Sequence, residues 1–201
     1  MAFIVFGVIA KEIVLEKEGF FDAAVFRGLS PYISPFHTRM ALLITFFGNG
    51  LFLFPAYSVI VFYLIRSGRK KYAVMTIAIA MVSMLLNYLL KALFHRPRPL
   101  LVHLDIADGY SFPSGHSEGA STLCGILIYL VWKTGYMYYS KILISLGLLL
   151  FAFFVGLSRV YLHVHFASDV IGGFCVTLAW LTLFFIGMEL VNTGNKQEHV
   201  I

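Results

Sequence analysis

The sequence predicts an all-α polytopic membrane bundle of about six transmembrane helices, and three observations carry that expectation. Of its 201 residues, 60% are hydrophobic and only 12% charged, against roughly 45–50% and about 25% in a soluble domain. Several apolar runs reach the roughly 20 residues that a helix needs to cross a bilayer. The polar residues are gathered into a few short clusters between those runs, where they act as punctuation. A net charge of +5 is spread over loops, with no basic block of the kind that binds nucleic acid.

Taken in order, Met1 to Ala10 is apolar but only half a span long, and is read as the end of a first, incomplete transmembrane helix. A cleaved signal peptide is less favoured, because no positive region precedes it and no small-residue cleavage site follows. Glu18 to Arg39, with Gly19, Pro31 and Pro35, reads as a short helix and turns along the interface. Ala41–Ile65 and Tyr72–Leu90 are each long enough to span, and Arg66, Arg69, Lys70 and Lys71 between them place that loop in the cytoplasm. The remaining connections then alternate. Lys91–Ser114 and Ser158–His165 fall outside, while Trp132–Lys141 and the tail from Asn192 fall inside. Trp132, Tyr136, Tyr138 and Tyr139 suit an interfacial aromatic belt. We expect a single transmembrane domain, 1–191, and a short, frayed polar tail, 192–201. Cys124 and Cys175 lie within apolar runs and read as buried thiols rather than as a disulfide or zinc site.

Three polar clusters converge on the outer side of this topology. The first runs from Lys91 through His95, Arg96 and Pro97 to Arg98-Pro99. The second is Pro113-Ser114-Gly115-His116. In the third, Ser158-Arg159 is followed five residues later by His165 and then, after three more, by Asp169. In these residues, from about Ala41 to about Leu190, the chain resembles the type-2 phosphatidic-acid phosphatase superfamily, whose three-part signature it matches at every fixed identity. The resemblance implies a metal-independent integral membrane lipid phosphatase without cofactor, working through a phosphohistidine. The compact size and short loops look bacterial, and by the resemblance suit the cytoplasmic membrane with the site facing the periplasm or exterior. Substrates of relatives include undecaprenyl pyrophosphate, phosphatidylglycerophosphate, phosphatidic acid and lipid A phosphates.

The residue types suit phosphoryl transfer, which spreads negative charge over three oxygens and needs fixed cations and donors around them. Lys91, Arg98 and Arg159 supply charge. Ser114 and Gly115 stand where a helix begins, so that amides and the Ser114 hydroxyl can face an anion, and Gly115 permits close approach. His165 and Asp169, four residues apart, place imidazole and carboxylate on one helical face, with His165 as nucleophile and Asp169 holding its tautomer. His116 serves as the acid that protonates the leaving oxygen and later activates water.

Other polar residues have blander readings. His163 and His165 could pose as a metal pair, but their spacing turns them to different sides of a helix, so His163 is read as a rim or structural residue. His95 and Arg96 are read mainly as surface, and His103, Asp105 and Asp108 as solvated loop residues, with headgroup contact as the alternative. Glu118 is left between tuning His116 and touching a headgroup. Two rivals remain to hydrolysis: a phosphotransferase using the same phosphohistidine, and a non-catalytic binder or transporter of anionic lipid. The presence of both His165 and His116 speaks against the binder. A vanadium haloperoxidase would share the anion pocket, but the soluble examples lack so apolar a chain.

Overall fold

The structure is a computed structural model that describes residues 2–15 and 19–198. Its elements are α1 (Ala2–Leu15), α2 (Phe20–Leu29), a 3₁₀ turn (Ser30–Tyr32), α3 (Pro35–Phe46), α4 (Gly50–Arg66), α5 (Lys70–Phe94), α6 (Gly115–Trp132), α7 (Tyr138–Tyr161) and α8 (Ala167–Glu198). Among the described residues, α5, α7 and the Ala167–Met188 part of α8 are each long and apolar enough to cross a membrane. The count is four if α3 and α4 form one bent span, and the expected count of about six is not confirmed.

The expected span Ala41–Ile65 is two helices, bent by 40° at a short break. Ser34 caps α3 by accepting from His37 N, and Asn49 caps α4 by accepting from Leu51 N at 2.9 Å, so each piece has its own helix start. Gly48 sits at the elbow because nothing larger fits. A Cβ there would lie 2.7 Å from Val155 Cγ1 and 2.9 Å from the His116 carbonyl. The break thus lets the chain approach the start of α6, where the site lies.

The central helix is α6, packed against α4, α5, α7 and α8. At one end Met75, Ile79, Ile126 and Leu181 form an apolar cluster, with Tyr129 stacked on Phe185 at 4.3 Å. At the opposite end Gly173 brings α8 against the start of α6, since a Cβ would meet the Ser114 carbonyl at 2.9 Å. Small residues at such crossings let helices approach where lipid provides no hydrophobic drive. Large apolar side chains such as Leu51, Phe62, Met84, Leu143 and Phe153 point outward and exposed, as a lipid-facing surface requires.

The α2 helix lies across the end of the bundle that carries the motifs, packing Phe26 on Val160, Phe166 and Val170. The backbone of α8 continues helical through Glu198, so the expected frayed tail is helical as far as that residue, and 199–201 lie outside the described residues. Cys124 is buried and Cys175 half-buried, both as free thiols.

Candidate active site

All three sequence clusters meet at one end of the bundle, because each lies at the same end of its helix: the C-terminus of α5 and the loop after it, the N-terminus of α6, and the turn from α7 into α8. His165 stands in that turn rather than on a helix, which corrects the expectation of a shared helical face. The contact with Asp169 survives because Asp169 occupies the first turn of α8. Its Oδ2 lies 3.4 Å from His165 Nδ1 and accepts from Phe166 N at 2.9 Å. An acidic side chain reaching back to the amide that precedes its helix is one half of a capping box.

Asp169 is fully buried and heavily bonded. Ser111 Oγ donates to the same Oδ2 and lies 3.4 Å from His165 Nδ1, while Arg96 Nη1 donates to Oδ1 at 2.6 Å. With Nδ1–H directed at Asp169 and Ser111, the other ring nitrogen of His165 keeps its lone pair. That Nε2 faces Arg98 Nη1 at 3.3 Å. Burial pushes the His165 imidazole down to about 4, helped by the charges of Arg98 and Lys91 and opposed by Asp169. The ring is therefore neutral near pH 7.

Arg96 is the clearest departure from the sequence reading. Instead of lying on the surface it is buried, with Nη1 also donating to Ser168 Oγ at 2.7 Å, Nη2 donating to Asp22 Oδ2 at 2.8 Å, and its guanidinium 4.0 Å from the centre of the Phe166 ring. Asp22, on α2, was not singled out from the sequence at all. Nor were Ser111 and Ser168, since a lone serine or aspartate outside a motif carries no local signal.

The phosphate-binding candidates gather around His165. Arg98 is fastened by three backbone carbonyls, those of Gly109, Asp108 and Val164, at 2.6–3.1 Å. Lys91 Nζ donates to the Tyr110 carbonyl. Arg159 donates through Nη1 to Thr45 Oγ1 and to Asp105 Oδ2, both at 2.7 Å, while its buried Nε has no hydrogen-bond partner among the described residues. Asp105 is thus not a merely solvated loop residue but the ion-pair partner of a motif cation.

Two expectations at the start of α6 change in detail. The Ser114 hydroxyl is fully buried and caps the helix, accepting from Ser117 N at 3.4 Å and Ser117 Oγ at 2.9 Å, which leaves its own O–H as a donor. The Gly115 and His116 amides have no acceptor among the described residues, and amides left open at a helix start suit an anion. Gly115 is tight against Asn87 Oδ1, where a Cβ would lie at 3.3 Å. The His116 ring is half-buried, makes no hydrogen bond among the described residues, and sits within the field of Arg159, His165, Arg98 and Lys91.

The remaining candidates are structural. His163, at φ 58°, directs Nδ1 at the Val102 carbonyl at 3.1 Å and packs edge-on against Phe26. His95, at φ 47°, ends α5 and packs against Tyr110. His103 Nε2 bonds the Pro99 carbonyl at 3.0 Å, and Asp108 offers its carbonyl to Arg98 and its charge to the same guanidinium. Glu118 touches neither His116 nor an open headgroup position: its oxygens accept from Ser83 Oγ at 3.2 Å and Asn87 Nδ2 at 2.7 Å, inside the bundle. Among the described residues, no group of three or more His, Cys, Asp or Glu is placed to hold a metal ion.

Comparison with known proteins gives the family and the fold. The model of the PAP2 superfamily matches residues 71–192. Phosphatidylglycerophosphatase B of Bacillus subtilis (strain 168) is 40% identical over 103 residues, 51% of this chain and 49% of that protein. Dolichyldiphosphatase of Saccharomyces cerevisiae is 33% identical over 113 residues, 52% of this chain and 47% of that protein. Undecaprenyl-diphosphatase BcrC of Bacillus subtilis is 27% identical over 113 residues, 54% and 53% of the two chains. The chain therefore spans about half the length of the curated relatives it matches. Among solved structures, a transmembrane PAP2 type phosphatidylglycerolphosphate phosphatase from Bacillus subtilis superimposes with a TM-score of 0.85 at 28% identity, covering 94% of this chain and 95% of that one. LpxE of Aquifex aeolicus gives 0.68 at 25% identity, covering 85% and 98%.

Proposed function

This chain belongs to the PAP2 superfamily, and on that premise we propose that it is an integral membrane lipid phosphatase that hydrolyses a phosphate monoester or pyrophosphate through a phosphohistidine at His165. The observation that carries the proposal is the fixed orientation of the His165 ring, with Nδ1 toward Asp169 and Ser111 and Nε2 facing the Arg98 guanidinium.

The reaction is two in-line displacements at phosphorus. In the first, His165 Nε2 forms a P–N bond as the P–O bond to the lipid alkoxide or lipid phosphate breaks, and His116 gives its proton to the departing oxygen. In the second, His116 takes a proton from water, the water oxygen bonds phosphorus, and the P–N bond breaks to release inorganic phosphate. Arg98, Lys91, Arg159 Nε and the open amides of Gly115 and His116 surround the phosphoryl oxygens, where their charge and dipoles meet the charge of the transition state. Ser114 serves this site indirectly, by fixing the start of α6. The carboxylate of Asp169 holds the ring and offsets the positive charge it gains during attack. No step requires a metal ion.

The cation-rich loop Arg66 to Lys71 lies at the opposite end from the site, which favours a site on the non-cytoplasmic face of a bacterial cytoplasmic membrane. Substrate candidates come from the relatives: phosphatidylglycerophosphate and polyprenyl diphosphates. The test is phosphate release by the purified chain in detergent with EDTA present, over phosphatidylglycerophosphate, undecaprenyl diphosphate, phosphatidic acid and lipid A. Release that is lost in His165→Ala supports the reading and ranks the substrates. Release that requires added divalent cation, or that persists in His165→Ala, overturns it.

A further inference from the structure

Behind the His165 ring three buried charges alternate along one line. Asp169 Oδ1 pairs with Arg96 Nη1 at 2.6 Å, and Arg96 Nη2 pairs with Asp22 Oδ2 at 2.8 Å; none of the three side chains is more than 3% exposed. The Arg96 guanidinium is further fixed by Ser168 Oγ and the Phe166 ring. Asp22 does more than neutralise it. Its Oδ1 accepts from Ser168 N at 2.9 Å and its Oδ2 accepts from Ser168 Oγ at 2.6 Å, so a carboxylate from α2 caps the very turn of α8 that carries Asp169.

We propose that Asp22 is a positioning residue for phosphoryl transfer, acting through Arg96 and Ser168 on Asp169 and so on the nucleophile; this rests on the reading of His165 as nucleophile. With Arg96 alone, the charge of Asp169 would be cancelled by a guanidinium at 2.6 Å, leaving the pair neutral when the imidazole turns cationic during attack. With Asp22 added, the buried set behind the ring carries one net negative charge, matched to the charge the ring gains. The low effective dielectric of a buried site preserves that effect across the intervening guanidinium. Asp22 lies in α2, outside the 71–192 segment that carries the family match and 69 residues before Lys91. The α2 helix therefore becomes part of the active site rather than a cover over it.

The experiment measures kcat and KM with phosphatidylglycerophosphate in detergent for Asp22→Asn, beside Phe26→Ala. The second variant loosens the same helix from Val160, Phe166 and Val170 without touching charge. The expected result is a kcat at least tenfold lower in Asp22→Asn with KM within threefold of the parent, substantial recovery of kcat in Asp22→Glu, and a kcat within threefold in Phe26→Ala. A kcat within threefold in Asp22→Asn, or equal losses in Asp22→Asn and Phe26→Ala, overturns the proposal. If Asp22→Asn does not fold, Ser168→Ala carries the test. It removes the hydroxyl shared by Asp22 and Arg96 but leaves the backbone cap; a lower kcat at unchanged KM is expected, and unchanged kcat overturns it. Turnover that persists in His165→Ala in the same assay would instead remove the nucleophile reading, whatever Asp22 does.

Discussion

Asp169 and Glu118 are both buried carboxyl groups, and their surroundings differ in kind. Asp169, at the motif end, is held by a guanidinium, a serine, a backbone amide and an imidazole, with a second carboxylate beyond. Glu118, two residues past His116 on α6, accepts through its carboxylate from Ser83 and Asn87. Ser83 is joined to Thr122 at 2.8 Å, and Thr122 to Thr177 at 3.4 Å. One set is balanced charge aimed at a reacting ring. The other is a neutral hydroxyl and amide network that ties α5, α6 and α8 together, of the sort that holds helices where lipid surrounds them. Burial of an acidic group is therefore not a sign of catalysis by itself; the cations and the open valence of the neighbouring ring distinguish the two.

The comparison breaks most sharply at the nucleophile. His165→Ala should lower kcat by on the order of 10⁴-fold or more, measured as phosphate release from detergent-solubilised protein; activity within tenfold would dissolve the distinction drawn here. Asp169→Asn should be milder, about 10²- to 10³-fold, because orientation is lost while the nucleophile stays, and a loss equal to that of His165→Ala would contradict its assigned role. Arg98→Lys should cost about 10- to 10²-fold, since a single ammonium cannot make the planar fork that reaches the Gly109, Asp108 and Val164 carbonyls while facing His165.

Acid sharpens the same contrast. Protonation of His165 removes the lone pair on Nε2, so the share of enzyme able to attack should fall about tenfold per unit as pH drops below its value of about 4. The fold should weaken over a related window. The unfolded imidazole takes its proton near 6.5, the buried one only near 4, so this contribution is complete above 6.5 and is lost as pH falls toward 4. The smallest effect should come from Glu118. Glu118→Gln keeps an oxygen that can accept from Asn87 and should change kcat by less than about threefold, whereas Glu118→Leu strands Ser83 and Asn87 and should destabilise by about 1–3 kcal/mol, read as a lower thermal midpoint with little change in the activity of the folded fraction.

The same contrast explains what could be read from the sequence. Lys91, Arg98, Arg159, His116, His165 and Asp169 stand in fixed spacings at helix ends, so alternation of spans alone brings them to one side. The partners that hold them do not follow a local pattern. Asp22 and Ser168 are joined across 146 residues, and Thr45 and Arg159 across 114; such pairs arise from tertiary packing and leave no periodic trace. Arg96 looked like a surface residue because its neighbours His95 and Pro97 belong to a loop, yet that loop folds inward beneath α2. The α3–α4 elbow is a different case. Gly48, Asn49 and Gly50 mark it, but a hydropathy window that averages over Ala41–Ile65 dilutes three residues into one apolar run. The polar tail shows the reverse effect: its composition suggested fraying, while α8 remains helical to Glu198.

The most direct test of the account is to trap the covalent intermediate. Rapid mixing with labelled lipid phosphate, an alkaline quench that preserves phosphohistidine, and peptide mass spectrometry should place phosphate on His165 in the parent and none in His165→Ala. Phosphate found on another residue, or single-turnover release with no phosphoenzyme in the parent, would contradict nucleophilic attack by His165.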